Sequence, residues 1–439
     1  MRPIGTMTIA NPEKILEEVK SQLGVRQSLA TITEKFQEEL DFMLKNCKKS
    51  MLPFPQVCCR GWSEYNEPMD MLAIDFGGSV LKFAVINMPQ CQMELKYELE
   101  IKSKIVDFKF FDNIVEWICN RIPINNERSL PRKFIVAITF SFPVNANNEI
   151  VAMGKGFRMS PELKGISILD ILKQSFDRLE KEYSSSFTFE ISNVINDSLA
   201  VHMTSKYLQS DNNDKISLIL GTGVNSCFEV QYEDLPQFKK DILTQFSDDY
   251  REKVLINSEM GFLGRYSKSI EFGNFDTNID DKMPLESITS GKWIPQILHN
   301  IIRYYNLLPM VGDEEIKYDG RLICEILSDG ECPSEYLLSL WDYEVYQIIR
   351  QITKLLINRA AIYLVAAIIA IRKFVSPEIY FTKGGIDIDY VGSFLNYCQY
   401  YQERIHFHSK GMVKLQFLND SNLYGCAITA YSNIFENRI

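Results

Sequence analysis

Asn196-Asp197-Ser198 sets an amide, a carboxylate and a hydroxyl in succession just before the apolar run Leu199-Ala200-Val201, at the expected start of a helix. A carboxylate so placed can accept the proton of a hydroxyl that attacks a phosphoryl group, the work of a general base. Further on, Gly221-Thr222-Gly223-Val224-Asn225 forms a glycine loop between the apolar runs Ile216 to Leu220 and Val224 to Val230. Glycines there let backbone N–H groups approach an anion with no Cβ in the way. Upstream, Asp75-Phe76-Gly77-Gly78-Ser79 repeats the arrangement. Its Gly77-Gly78 suits a tight hairpin, and Asp75 directs a carboxylate at the same spot, where it could hold the metal that accompanies a nucleotide. Each motif alone has a plainer reading, Asp197 as a helix cap and Asp75 as a hairpin residue before its turn. Two copies shift the balance toward phosphates. Neither loop is GxxxxGK[ST] or GxGxxG, so P-loop and Rossmann sites are excluded.

The elements that must position these groups are legible as patterns. Strand, glycine turn and strand are expected over Met71 to Ile86 and again over Leu218 to Val230, which implies two related α/β halves facing across a cleft. Between them, Phe134 to Phe157 reads as a strand ending at Ser141-Phe142-Pro143 and a loop returning through Gly154-Lys155-Gly156-Phe157. Ahead of the first half, Ile15, Val19 and Leu23 predict one amphipathic helix and Thr33 to Leu44 a second, followed by a connector from Pro53 to Pro68. The resulting domain scheme is a helical lead-in and connector over 1–70, a smaller domain over 71–205 and a larger one over 206–439. Met7 could serve as the natural start, since Met1 to Thr6 carries no pattern.

With 439 residues, 24% charged and 46% hydrophobic, the chain has the composition of a soluble globular protein of two or three domains. A net charge of −10 without a basic stripe argues against nucleic-acid binding. The apolar run Ala360 to Ile371 lies between Arg359 and Arg372 and falls short of the roughly 20 residues a membrane span needs, so it reads as a buried helix. Ten scattered cysteines, with no CxxC pair and no secretory signal, suggest reduced thiols in the cytosol or nucleus. Only His406 and His408 of the four histidines are close together, in a strand-like run with the look of surface chemistry. They give no zinc pattern.

The order DFGGS, FSFP, GKGF, INDS, GTGVN, INSEMG, ITSG resembles the hexokinase family of sugar kinases, from about residue 30 to the end. NDSLAV, the helix led by Arg359-Ala360-Ala361 and Tyr390 to Tyr397 look most like the fungal N-acetylglucosamine kinase branch. The resemblance implies two actin-like (ribonuclease H-like) α/β domains around a sugar and a magnesium nucleotide, ATP or another nucleoside triphosphate. It implies Asp197 as the general base, and Ser141, Gly154, Lys155, Asn196, Asn225, Glu259 and Glu286 around the sugar. Asp75, Gly77, Gly78, Ser79 and Lys82 match the first phosphate loop, Gly221, Thr222 and Gly223 the second, and Gly392, Ser393 and Gly425 the nucleotide end. Carboxylates such as Glu259 and Glu286 accept from sugar hydroxyls, while Asn196 and Asn225 offer both acceptor and donors.

The sequence departs from the family pattern at several positions. Gly154 stands for Thr, Met153 for Trp and Val80 for Asn. Lys82 replaces Arg, a point charge instead of a fork. Val391 replaces Asp, and Ser421 and Leu423 replace glycines. A smaller rim at Gly154 could admit an acetamido group. The expected activity is phosphorylation of the 6-hydroxyl of a hexose, foremost N-acetylglucosamine. The alternatives are a glucose or mannose hexokinase, a sugar-sensing protein with little catalysis, and a nucleotide-driven scaffold of the actin or chaperone type, against which the sugar motifs argue. Oligomeric state and donor nucleotide stay open.

Overall fold

The computed structural model describes residues 11–54, 66–77, 80–103, 105–123, 131–141, 149–150, 157–183, 186–208, 215–244, 253–277, 282–328, 333–376 and 385–436. Gly78, Ser79, Gly154 and Lys155 lie outside them.

In chain order the elements begin with α1 (Pro12–Leu23), α2 (Leu29–Asn46), β1 (Leu52–Pro53), β2 (Met69–Phe76), β3 (Val80–Met88), β4 (Gln92–Glu100) and β5 (Ile105–Val106). Next come α3 (Phe108–Cys119), β6 (Arg132–Phe140), β7 (Arg158–Met159), α4 (Ile168–Tyr183), β8 (Phe187–Ile195) and α5 (Asp197–Leu208). Then follow β9 (Ile216–Leu220), β10 (Val224–Gln231), α6 (Gln237–Thr244), β11 (Lys253–Asn257), α7 (Pro284–Thr289), α8 (Trp293–Tyr304) and α9 (Gly320–Ile326). The chain ends with α10 (Glu335–Leu340), α11 (Tyr343–Val375), β12 (Ile386–Val391), α12 (Ser393–Tyr397), α13 (Gln399–His408), β13 (Val413–Phe417) and α14 (Ser421–Glu436).

A six-stranded sheet runs in the order β1-β11-β10-β9-β12-β13 and a five-stranded sheet in the order β4-β3-β2-β6-β8. The chain divides into two compact units. The first comprises Met1–Leu52, Leu218–Phe228 and Ser258–Phe417; the second comprises Pro53–Ser217, Glu229–Asn257 and Leu418–Ile439.

In the second unit, β2 pairs antiparallel with β3 and parallel with β6, and β6 pairs parallel with β8. Parallel strands need both faces covered, and their sequences turn almost wholly apolar in consequence. Thus Met71 to Phe76 is buried at every position. Leu72, Ile74, Phe76, Val136 and Ile138 pack with Phe111 and Ile114 of α3 and Ile171 and Leu172 of α4 in one core. The opposite face belongs to α14, which lies on β2, β3, β6 and β8 and against α5.

The first unit is built around α11. That helix is long and apolar enough to cross a membrane by length and composition, yet 78% of its most apolar stretch is buried inside the protein, against α2, α13, α1, α7 and α8. It starts at an Asp342 cap, whose carboxylate accepts from Val345 N–H. Arg359, on this helix, pairs with Asp276 through two bonds of 2.8 and 2.7 Å. The expected helix through Ile15, Val19 and Leu23 is α1, with those three residues buried, and the second is α2.

One local expectation fails. His406 and His408 lie in the last turn of α13, not in a strand. Tyr401 and Ile405, four apart and fully buried, set the helical face, and that burial overrides the local alternation of aromatic and basic residues.

Candidate active site

Three neighbouring parallel strands of the second unit end at one edge. After β2 comes Gly77, after β6 comes Ser141, and after β8 comes Asn196. Ser141 N–H extends the ladder by donating to Phe76 O at 3.2 Å. The C-terminal edge of a parallel sheet is where open α/β folds bind ligands, because loops and helix N-termini converge there.

Asn196 is the cap of α5. Its backbone carbonyl takes the first helical bond from Ala200 N–H, at 3.1 Å, and its Oδ1 accepts from Ser198 N–H at 3.0 Å. Asp197 is therefore the first helical residue, with Oδ1 2.9 Å from the same N–H. Its carboxylate sits in the first turn of the helix. The Ser198 hydroxyl, fully buried, donates to Asn196 Oδ1 at 2.7 Å and lies 3.3 Å from Asn257 Oδ1.

At the end of β2, Asp75 is 7% exposed, and Asn422 Nδ2 donates to both its carboxylate oxygens at 3.3 and 3.2 Å. Asn422 is in turn fixed through its carbonyl, which accepts from Thr139 Oγ1 at 2.8 Å. The first turn of α14 is thereby tied to the ends of β2 and β6. Lys82 lies opposite Asp75 in the hairpin, and its ammonium is 3.6 Å from Glu98 and 3.9 Å from Asp420. Lys96 joins this cluster at 3.1 Å from Asp420 and 3.2 Å from Glu98. Burial disfavours the charge on Lys96, but its bonds to Asp420 and Glu98 outweigh that and raise its pKa. Burial likewise opposes the Glu98 carboxylate, which the two lysines nonetheless hold below the usual range.

In the first unit, three of the sugar candidates meet at the start of β10. Glu286 Oε2 accepts from Val224 N–H at 3.3 Å. A Cβ at Gly223 would lie 2.6 Å from that same oxygen, so the glycine makes room for the carboxylate. Asn225 Oδ1 accepts from Ser226 N–H at 2.8 Å and lies 3.4 Å from the Ser258 hydroxyl oxygen. Glu259 follows with φ 52° and ψ 46°, a left-handed backbone. For a residue with a side chain this costs on the order of 1–3 kcal/mol and persists only where its surroundings enforce it. Ser258 enforces it through bonds to Ser226 O at 2.8 Å and from Met260 N–H at 3.2 Å.

The second loop and the nucleotide-end turn also meet within this unit. Gly221 N–H donates to Gly223 O at 3.0 Å, closing the loop on itself, and Gly221 O accepts from Gly291 N–H at 2.8 Å. Gly392 has φ +123°, and a Cβ on it would reach within 2.2 Å of Leu220 O. Thr222 and Ser393 are exposed beside these glycines in sequence. Gly425 belongs to the second unit, where a Cβ would fall 1.9 Å from Ala200 O. Close packing of α14 on α5 accounts for that glycine.

Ser198, Asn257, Ser258, Thr139 and Asn422 are the supporting residues that pattern reading passed over. The first three stood inside the motifs INDS and INSEMG. Their serine and asparagine side chains, flanked by apolar residues, were the available signal.

Among known proteins, the chain is 24% identical over 443 residues to N-acetylglucosamine kinase 1 of Candida albicans, covering 88% of this chain and 86% of that protein. It is 25% identical over 333 residues to Hexokinase-2 of Rattus norvegicus, covering 69% of this chain but only 33% of the relative. Its fold matches that of the hexokinase from Schistosoma mansoni complexed with glucose, with a TM-score of 0.74 at 17% identity, over 96% of this chain and 100% of that one. Two family models, both described as hexokinase, match residues 15–207 and 215–432. With nearly its whole length accounted for by these two models, the chain belongs to the hexokinase family of sugar kinases.

Proposed function

We propose that the protein transfers the γ-phosphoryl group of a magnesium nucleoside triphosphate to the 6-hydroxyl of a hexose, with N-acetylglucosamine preferred over glucose. The observation that carries the reading is Asp197 at the head of α5 with Asn196 as the cap. Asn196 shares the capping of Ser198 N–H with Asp197, and Asp197 stands at a strand-end edge suited to a ligand.

In the reaction, Asp197 takes the proton of the attacking hydroxyl as the new O–P bond forms and the bond to the leaving nucleotide oxygen breaks. Asn196 in the second unit, and Asn225, Glu259 and Glu286 in the first, are the groups whose acceptors and donors suit sugar hydroxyls. The N–H groups of Thr222 and Gly223, and separately the ammonium of Lys82, are donors suited to phosphate oxygens. Among the described residues no cluster of three or more His, Cys, Asp or Glu could hold a metal. Magnesium needs none, since it is usually bound through one or two carboxylates together with substrate phosphates, and buried Asp75 fits that role. When bound, the ion supplies charge neutralisation on the phosphates.

The preference for N-acetylglucosamine is supported by the Candida albicans relative, which matches along most of both chains. A coupled assay across hexoses with magnesium ATP tests it. Turnover on N-acetylglucosamine should exceed that on glucose, and turnover on glucose alone would refute the preference. Seven cysteines among the described residues are free thiols, which supports residence in a reducing compartment.

A second reading, a sugar-binding regulator with weak catalysis, draws on α14. Ser421 and Leu423, where the family carries glycines, are buried at 1% and 0% exposure, which changes the nucleotide end. Calorimetry showing sugar binding without nucleotide binding would favour it.

A further inference from the structure

The buried Ser198 hydroxyl has one proton and two neighbours drawn as acceptors, Asn196 Oδ1 at 2.7 Å and Asn257 Oδ1 at 3.3 Å. The shorter contact claims the proton. Two oxygens left facing each other in a buried place are unfavourable, and Asn257, 8% exposed at the end of β11, has a way out. A turn of its amide brings Nδ2 to the same position and makes it the donor. A directed chain results, Asn257 Nδ2–H to Ser198 Oγ and Ser198 Oγ–H to Asn196 Oδ1.

Its end point has a consequence for recognition. Asn196 Oδ1 is then doubly engaged, by the hydroxyl and by Ser198 N–H at 3.0 Å. With its carbonyl committed to the helix, Asn196 presents its NH2 group outward. We propose that Ser198 and Asn257 are positioning residues that fix the polarity of Asn196, so that it meets the substrate as a hydrogen-bond donor and selects a sugar oxygen able to accept. Neither residue touches the sugar; both act through Asn196. The inference rests on the sugar-kinase reading above.

Steady-state kinetics of the full chain, on whichever hexose the wild type phosphorylates fastest, provides the test. Ser198→Ala should raise the sugar KM about tenfold, the loss of one well-placed hydrogen bond, with the nucleotide KM unchanged. Ser198→Thr keeps the hydroxyl and should restore the sugar KM. Asn257→Asp has nearly the same shape but cannot donate, so the serine proton turns to it and the sugar KM should rise as in Ser198→Ala. An unchanged sugar KM in both Ser198→Ala and Asn257→Asp, or no rescue by Ser198→Thr, would overturn the relay. Absence of wild-type turnover on every hexose would overturn the functional reading instead. In that event neutron crystal structures of the wild type and Asn257→Asp, which distinguish amide oxygen from nitrogen, still decide the relay: a reoriented Asn196 amide in the variant is the expected result, and the same amide orientation in both contradicts it.

Discussion

Gly223 and Glu286 show how one residue's missing side chain can serve another's chemistry. A methyl at Gly223 would meet Glu286 Oε2 at 2.6 Å, but a carboxylate at the end of a flexible side chain can yield. Gly223→Ala should therefore cost the fold under about 1 kcal/mol, as substitutions that disturb no backbone do. The displaced carboxylate would lose Val224 N–H and, on the proposed function, its alignment to the sugar, and KM for the sugar should rise about tenfold. Thermal melting and kinetics on the same variant separate the two effects; a large drop in melting temperature with unchanged KM would contradict this account of the glycine. At this scale the helix start at Asn196-Asp197 and the turn Gly221–Gly223 between two strands could be read from the sequence, because each is a run of neighbouring residues. Asn422 could not be matched to Asp75 in that way, since 347 positions separate them and no local pattern records the pairing.

At the scale of elements, Gly425 marks the opposite situation. The atom its Cβ would strike is a backbone oxygen, Ala200 O, at 1.9 Å, and no side-chain turn relieves the clash. Gly425→Ala should separate α14 from α5 and destabilise the protein by about 1–3 kcal/mol, the usual scale of overpacking, read as a lower denaturation midpoint. An unchanged midpoint would show that α14 shifts freely. The pair Arg359–Asp276 ties α11 to the segment that precedes α7, with side chains only 3% and 0% exposed. Arg359→Met leaves Asp276 buried without its cation and should cost about 3–5 kcal/mol, while adding Asp276→Leu should recover most of that loss. Failure of the double variant to recover would show that the pair holds the loop's conformation as well as the charge. Helix α1 was legible because its apolar residues recur at helical spacing, and the central part of α11 because Ala360 to Ile371 is one continuous apolar run. The end of α13 was not, because His406, Phe407 and His408 alternate like a strand while Tyr401 and Ile405, earlier in the same helix, decide its face.

For the molecule as a whole, each compact unit is assembled from three separate stretches, and Leu418–Ile439 belongs with Pro53–Ser217. Composition and motif order carry the family and the α/β class, as the two family matches bear out. They carry little about which distant stretches pack together, because α14 is apolar on the face that covers β2 and β6 in the way any core helix is. The function proposed for this assembly depends on one carboxylate. Phosphoryl transfer from magnesium ATP to N-acetylglucosamine, followed for the wild type and for Asp197→Asn with sugar binding measured in parallel, tests it most directly. The variant should still bind sugar and lose about 10²–10⁴-fold in turnover, the scale of a missing general base; turnover within about tenfold of the wild type would contradict the assignment.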